Sequence, residues 1–139
     1  MDYLKFITTP ANTLESNPLI TPLHLAKGRI TGGALYFPRG PSGYLHFTAH
    51  IASWQILPFN TEESYRLNGT TFPLHLDLDF FQPPYLINFM TWNDSTTYSH
   101  SLTVSIFLDP YAKPRKTKNI FDSTLNAVTG YLKGNDRKI

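Results

Sequence analysis

Apolar and polar side chains alternate along three long stretches of the chain. From Tyr44 to Ala52, Leu45, Phe47, Ala49 and Ile51 take one parity, and Tyr44, His46, Thr48 and His50 take the other. From Phe72 to Phe80, Phe72, Leu74, Leu76, Leu78 and Phe80 oppose Pro73, His75, Asp77 and Asp79. From Ser101 to Leu108, Leu102, Val104, Ile106 and Leu108 oppose Ser101, Thr103, Ser105 and Phe107. Successive side chains of a strand point to opposite faces, so each stretch predicts a strand with one face buried. Shorter strands are expected over residues 29–37, 53–57 and 85–92, bounded by Pro38–Gly43, Asn68-Gly69 and Pro83-Pro84. Asn68-Gly69 suits a tight hairpin, because both residues tolerate positive φ. One wet face per strand favours antiparallel pairing.

Outside these stretches the pattern changes. Residues 8–23 contain Pro10, Pro18 and Pro22 with little periodicity and predict an extended arm that contributes no core. After Pro110, Phe121, Leu125, Val128 and Leu132 fall on one helical stripe, with Asn119 or Asp122 to cap it and Gly130 or Gly134 to end it. The expected fold is all-β: an antiparallel β-sandwich or small barrel over 27–110. An extended N-terminal arm over 1–26 precedes it, and a basic linker with a C-terminal amphipathic helix over 111–139 follows.

Composition narrows the classes. The 139 residues, 41% hydrophobic and 16% charged, fit one compact domain and not a disordered polymer. The absence of cysteine excludes disulfides, thiolate metal ligands and a cysteine nucleophile. No apolar run has the length to span a bilayer as a helix, and Met1–Pro10 lacks the basic-then-apolar order of a leader. The chain is therefore expected to be soluble and unprocessed, with no membrane partner. A net charge of +2 hides an asymmetry. Residues 1–110 carry five Lys and Arg against eight Asp and Glu, whereas residues 111–139 carry seven against two. A basic tail on an acidic body can bind nucleic acid or dock on an acidic protein; docking needs no base-stacking or base-reading groups, so nucleic acid is not the expected partner.

Candidate chemistry is sparse. His75, Asp77 and Asp79 share one strand face, but a metal would need ligands from a neighbouring strand, and solvent-facing positions are polar for solubility alone. His46 and His50 share a face roughly 13 Å apart, too far to chelate one ion together. Ser42 lies in a proline-bearing turn and not in a nucleophile elbow. The glycine pairs lack the lysine and helix of a phosphate loop. Acid pairs among Asp77, Asp79 and Asp94 have no separation fixed by sequence. No catalytic, cofactor-binding or metal-ligating residue is assigned. Trp54 and Trp92, with eight Tyr and ten Phe, are expected to serve core and interface packing, the alternative being a stacking platform for sugars.

Lys27–Ile30, Tyr36–His46, Gln55–Asn60, Pro83–Tyr85 and Trp92–Asp94 followed by His100, taken in order, resemble small all-β virion structural proteins of tailed bacteriophages. The resemblance covers roughly residues 27–110 and rests on general pattern. It implies a non-enzymatic capsid decoration or cement protein that stabilises the shell by bridging neighbouring coat subunits, assembled in the host cytoplasm and located in the virion. Its partners would be the major capsid protein or other virion subunits, with homo-oligomers in the assembly. A phage connector or tail-associated protein, or a carbohydrate- or receptor-binding sandwich, are the alternatives. Contacts are expected from the arm at Leu14, Leu19, Ile20 and Leu23, and from the body at Tyr44, His46, His50 and Phe107. The tail would contribute Lys113, Arg115, Lys116, Lys118, Phe121 and Leu125.

Overall fold

A computed structural model describes residues 1–115. The chain forms β1 (Asp2–Thr9), β2 (Leu19–His24), β3 (Gly28–Phe37), β4 (Leu45–Ile51), β5 (Trp54–Leu57), β6 (Thr70–Leu74), β7 (Leu78–Phe80), β8 (Leu86–Asn93) and β9 (His100–Asp109). Every pairing is antiparallel. The first sheet has the order β1-β9-β3-β6, with β7 also on β3, and the second has the order β2-β8-β4-β5. The two pack face to face as a sandwich. Between them lie Ile7, Ile30, Leu35, Phe37, Val104 and Ile106 of the first sheet and Leu23, Leu45, Phe47, Ile87 and Phe89 of the second, all buried. The Phe47 and Phe89 rings meet at 5.4 Å.

The alternation from Leu45, Leu86 and His100 onward gives β4, β8 and β9 much as the pattern demands. Two segments depart from expectation. Residues 1–26 are no arm, because β1 and β2 are full members of the two sheets and bring Ile7, Leu23 and Leu25 into the core. Pro10 and Pro18 fall in the connection, which is pinned to the end of β8 through Asn12 N–H to Ser95 O at 2.8 Å and Asn93 N–H to Thr13 O at 2.9 Å. Pro22 does sit within a strand, at a sheet edge. Leu25 donates to Tyr85 O, and alternation from that pair turns the nitrogen of Pro22 outward, where a missing donor costs nothing.

The other departure is at 72–80, where one expected strand is two. Both β6 and β7 pair with β3, but the β3 register slips between Ile30 and Gly32. Between the Ile30–Leu78 and Gly33–Leu74 pairs, two residues of β3 face three, His75–Asp77, and the pairing breaks there. Asn68-Gly69 does not close a two-residue hairpin either. Gly69 has φ 61°, as the sequence suggests, but its N–H bonds Pro38 O, and the Asn68 side chain accepts from Gly40 and Ser42 N–H at 2.9 and 3.0 Å. The pair clamps the loop between β3 and β4. The predicted C-terminal helix lies outside the described residues.

Candidate functional site

The outward face of β4 is not bare. His46 and Thr48 are buried, and the segment 61–66 returns beside β4, where Tyr65 and Phe47 exchange backbone hydrogen bonds at 2.9 Å and Ser64 reaches His46. A cleft of about 290 Å³ remains, lined among others by Glu15, His46, His50, Glu62, Glu63 and Arg66. Two carboxylates of the 61–66 segment and Glu15 of the β1–β2 connection make it predominantly acidic.

At its floor His46 is fixed from three sides. Trp92, its register partner on β8, stacks on the imidazole with 4.9 Å between centroids and 8° between planes. Nε2 meets Asp94 Oδ2 at 2.7 Å, and Nδ1 meets Ser64 Oγ at 2.7 Å. With the carboxylate accepting from Nε2–H, Nδ1 accepts from the serine hydroxyl. These are the residue types of a serine-hydrolase relay, but each ring nitrogen holds the partner that the other holds in such enzymes. The arrangement is one of locking: it satisfies a buried imidazole and ties the 61–66 segment to the β8 terminus. His50, two positions along, donates to or accepts from Thr48 Oγ1 at 3.0 Å, and burial lowers its pKa.

The neighbouring residue Asn93 is buried and fully used. Its amide donates to Thr9 O and Tyr98 O at 3.2 and 2.9 Å, and its carbonyl accepts from Ser95 N–H at 3.0 Å. Trp92, Asn93 and Asp94 thus act as one structural unit.

Beyond the cleft, sharing Gln55 and Thr61 with it, lies an aromatic groove of about 480 Å³ formed with Ser53, Trp54 and Phe59. Trp54 is 74% exposed and Phe59 82%. A second apolar exposure lies at the other lateral edge of the sandwich. There β1 runs beside β2, with Tyr3 Oη accepting from Ala26 N–H at 2.9 Å, and its outward residues Leu4 and Phe6 are 68% and 69% exposed. The outer face continues across β9 and β3 with Phe107 and Tyr36, both exposed, over small residues such as Ser105 and Ala34.

The expected contact residues divide accordingly. Leu14, Ile20, Tyr44 and Phe107 are exposed, and Leu19 and His50 are half-buried. Leu23 is a core residue and offers no contact surface. Nor does His46, which the Trp92 stack and its two hydrogen bonds occupy. Trp92 is equally withdrawn as a sugar platform. Lys113 and Arg115 are exposed, and the backbone of the first and the side chain of the second meet the body. Arg29 donates to Lys113 O at 2.8 Å and to Asp79 at 2.7 Å, while Arg115 pairs with Asp77 and Asp79. These pairs hold both carboxyls below their ordinary range, through Arg115 for Asp77 and Arg29 for Asp79. Lys116, Lys118, Phe121 and Leu125 lie outside the described residues. Among those described, no group of three His, Asp or Glu is placed to hold a metal. Reasoning from sequence passed over Phe59, Leu4 and Phe6; the parity of Leu4 and Phe6 was visible, but outward parity alone does not distinguish a contact surface from a wet one. Comparison with family models, curated proteins and solved structures found no match.

Proposed function

We propose that this chain is a non-enzymatic structural protein of a virion, a decoration or cement protein that bridges neighbouring coat subunits. The observation that supports it is the pair of apolar surfaces at opposite lateral edges of one small sandwich: Trp54 with Phe59, and Leu4 with Phe6. Large exposed aromatic side chains are the anchors of protein interfaces, and two such anchors on a rigid body suit the joining of two neighbours. A place at the connector or tail would use the same surfaces, and imaging of decorated particles distinguishes the two locations.

The test is co-sedimentation of the full chain with purified shells of the particle that it accompanies. Trp54→Ala combined with Phe59→Ala is expected to lower the bound fraction by about 10-fold or more, the scale of an interface hot spot, with the unfolding midpoint unchanged. Failure of the unaltered chain to bind shells overturns the reading.

A second reading has its own observation. The Trp54 ring is exposed beside Thr61 and the amide oxygen of Gln55, whose nitrogen is spent on the Pro58, Asn60 and Glu63 carbonyls, the chemistry of a sugar platform. Saturable binding of an oligosaccharide, lost in Trp54→Ala, would favour it over shell binding.

A further inference from the structure

An unpaired strand edge offers a row of N–H and C=O groups to any extended chain, and proteins usually blunt such edges with proline or by shortening the strand. In this sandwich three edges are blunted. The β2 edge carries Pro22 with its nitrogen outward; the edge opposite β1 is split between β6, with Pro73, and the three-residue β7; β5 has four residues. The β1 edge has eight residues and no proline, and its guard is Lys5, a charge on the inward parity.

Its backbone groups are aimed outward in a regular pattern. Met1 and Leu108 exchange hydrogen bonds at 2.9 and 2.8 Å, so by alternation Tyr3, Lys5, Ile7 and Thr9 bond β9, while Asp2, Leu4, Phe6 and Thr8 point away from it. Among the described residues no backbone partner meets these four. Such an edge is self-complementary under a two-fold axis.

We propose that two copies of this chain pair antiparallel along β1 about a two-fold axis at Leu4, joining their first sheets into one. Charge and burial together select the register: setting Phe6 against Phe6 of the second copy would put Lys5 opposite the buried Ile7. Setting Leu4 against Phe6 of the second copy would place Lys5 directly opposite Lys5, a destabilising like-charge pair. Setting Leu4 against Leu4 places Lys5 opposite the Tyr3 ring, along which its stem packs, and brings Asp2, Leu4 and Phe6 together on the outer face with Phe6 diagonal to Leu4. About six new backbone hydrogen bonds follow from three bonded pairs. The occupant is a second copy because this register satisfies both edges at once and leaves neither Lys5 facing its own kind.

The chain has no cysteine, so single introduced thiols report the register in the full-length protein. Leu4 Cα atoms would lie about 5.5 Å apart, within disulfide range, and Phe6 Cα atoms about 14 Å apart. Under mild oxidation Leu4→Cys is expected to form a covalent dimer at least about 10-fold faster than Phe6→Cys. The unaltered chain is expected to sediment at twice its monomer mass at high concentration, and Leu4→Lys as a monomer. A monomeric unaltered chain, or equal cross-linking of the two variants, overturns the inference; both sites are exposed, so the fold tolerates either change. The inference shares the Leu4 and Phe6 surface with the shell-binding reading, but the two fail separately. A chain that binds shells as a monomer defeats only the dimer, and a dimer that never binds shells defeats only the bridging role.

Discussion

His46 shows how two kinds of interaction at one side chain can be ranked. Its hydrogen bonds to Asp94 and Ser64 exchange water for protein partners, and each contributes only about 1 kcal/mol net. Trp92, buried against the ring, contributes far more through area. Trp92→Ala is therefore expected to cost about 3–5 kcal/mol, and Asp94→Ala about 1–2 kcal/mol, in urea unfolding. Equal costs would mean that the imidazole is held by the carboxylate and not by the stack. The sequence showed Trp92, Asn93 and Asp94 as three adjacent residues of different character. Its period placed Trp92 on a strand, but nothing local says that the strand partner is His46 or that residues 61–66 return over it. Those are contacts between segments far apart in the chain, and one-dimensional periodicity carries no register between them.

The strands tell a similar story with one instructive exception. Where a strand has one wet and one dry face, as in β9, its alternation identifies both the element and its core side. In β4 the wet parity is also covered, so the outward histidine that looked available is inside. β1 was legible in principle, since Tyr3, Lys5, Ile7 and Thr9 share a parity, but Lys5 and Thr9 disguise the inward face, and the three prolines that follow suggest a lead-in. The split of β6 from β7 accompanies a bulge of β3 against β9 at Ile30–Gly32, a long-range register that the alternation of residues 72–80 does not carry. Next to that bulge, Gly33 permits β3 and β9 to approach: a Cβ there would overlap the Ser105 carbonyl oxygen, which is backbone and has nowhere to move. Gly33→Ala is expected to destabilise by about 1–3 kcal/mol, the cost of overpacking. Gly40→Ala, whose Cβ would meet only His100 Nδ1 at 4.0 Å, separates strain of backbone from crowding: it would act through its φ of 133°. Thermal denaturation of both variants checks the contrast, and an unchanged midpoint for Gly33→Ala would show that β9 can shift.

At the scale of the whole molecule, an acidic body meets a basic C-terminal segment, and the first point of contact is resolved. The β9 strand ends at Asp109, and residues 111–115 turn back along β7, tied by Arg29 to Lys113 O and by Arg115 to Asp77 and Asp79. Both carboxyls lie at the surface, so the tie is local and the core does not depend on it. Its response to acid follows from the lowered pKa values. A carboxyl whose pKa is lower when tied than when free supports the tied state fully above the free value of 3.8, and that support is lost as pH falls through the tied value. At neutral pH the amides of Lys113 and Arg115 are thus expected to exchange slowly relative to a free segment. Protection should fade below the ordinary carboxylate range and also in about 1 M salt, where charges are screened within about 3 Å. Asp77→Asn with Asp79→Asn should release the segment at neutral pH while strand amides stay protected. Slow exchange at 113–115 in that double variant would mean that Arg29 and the Lys113 carbonyl alone hold the basic segment against the body.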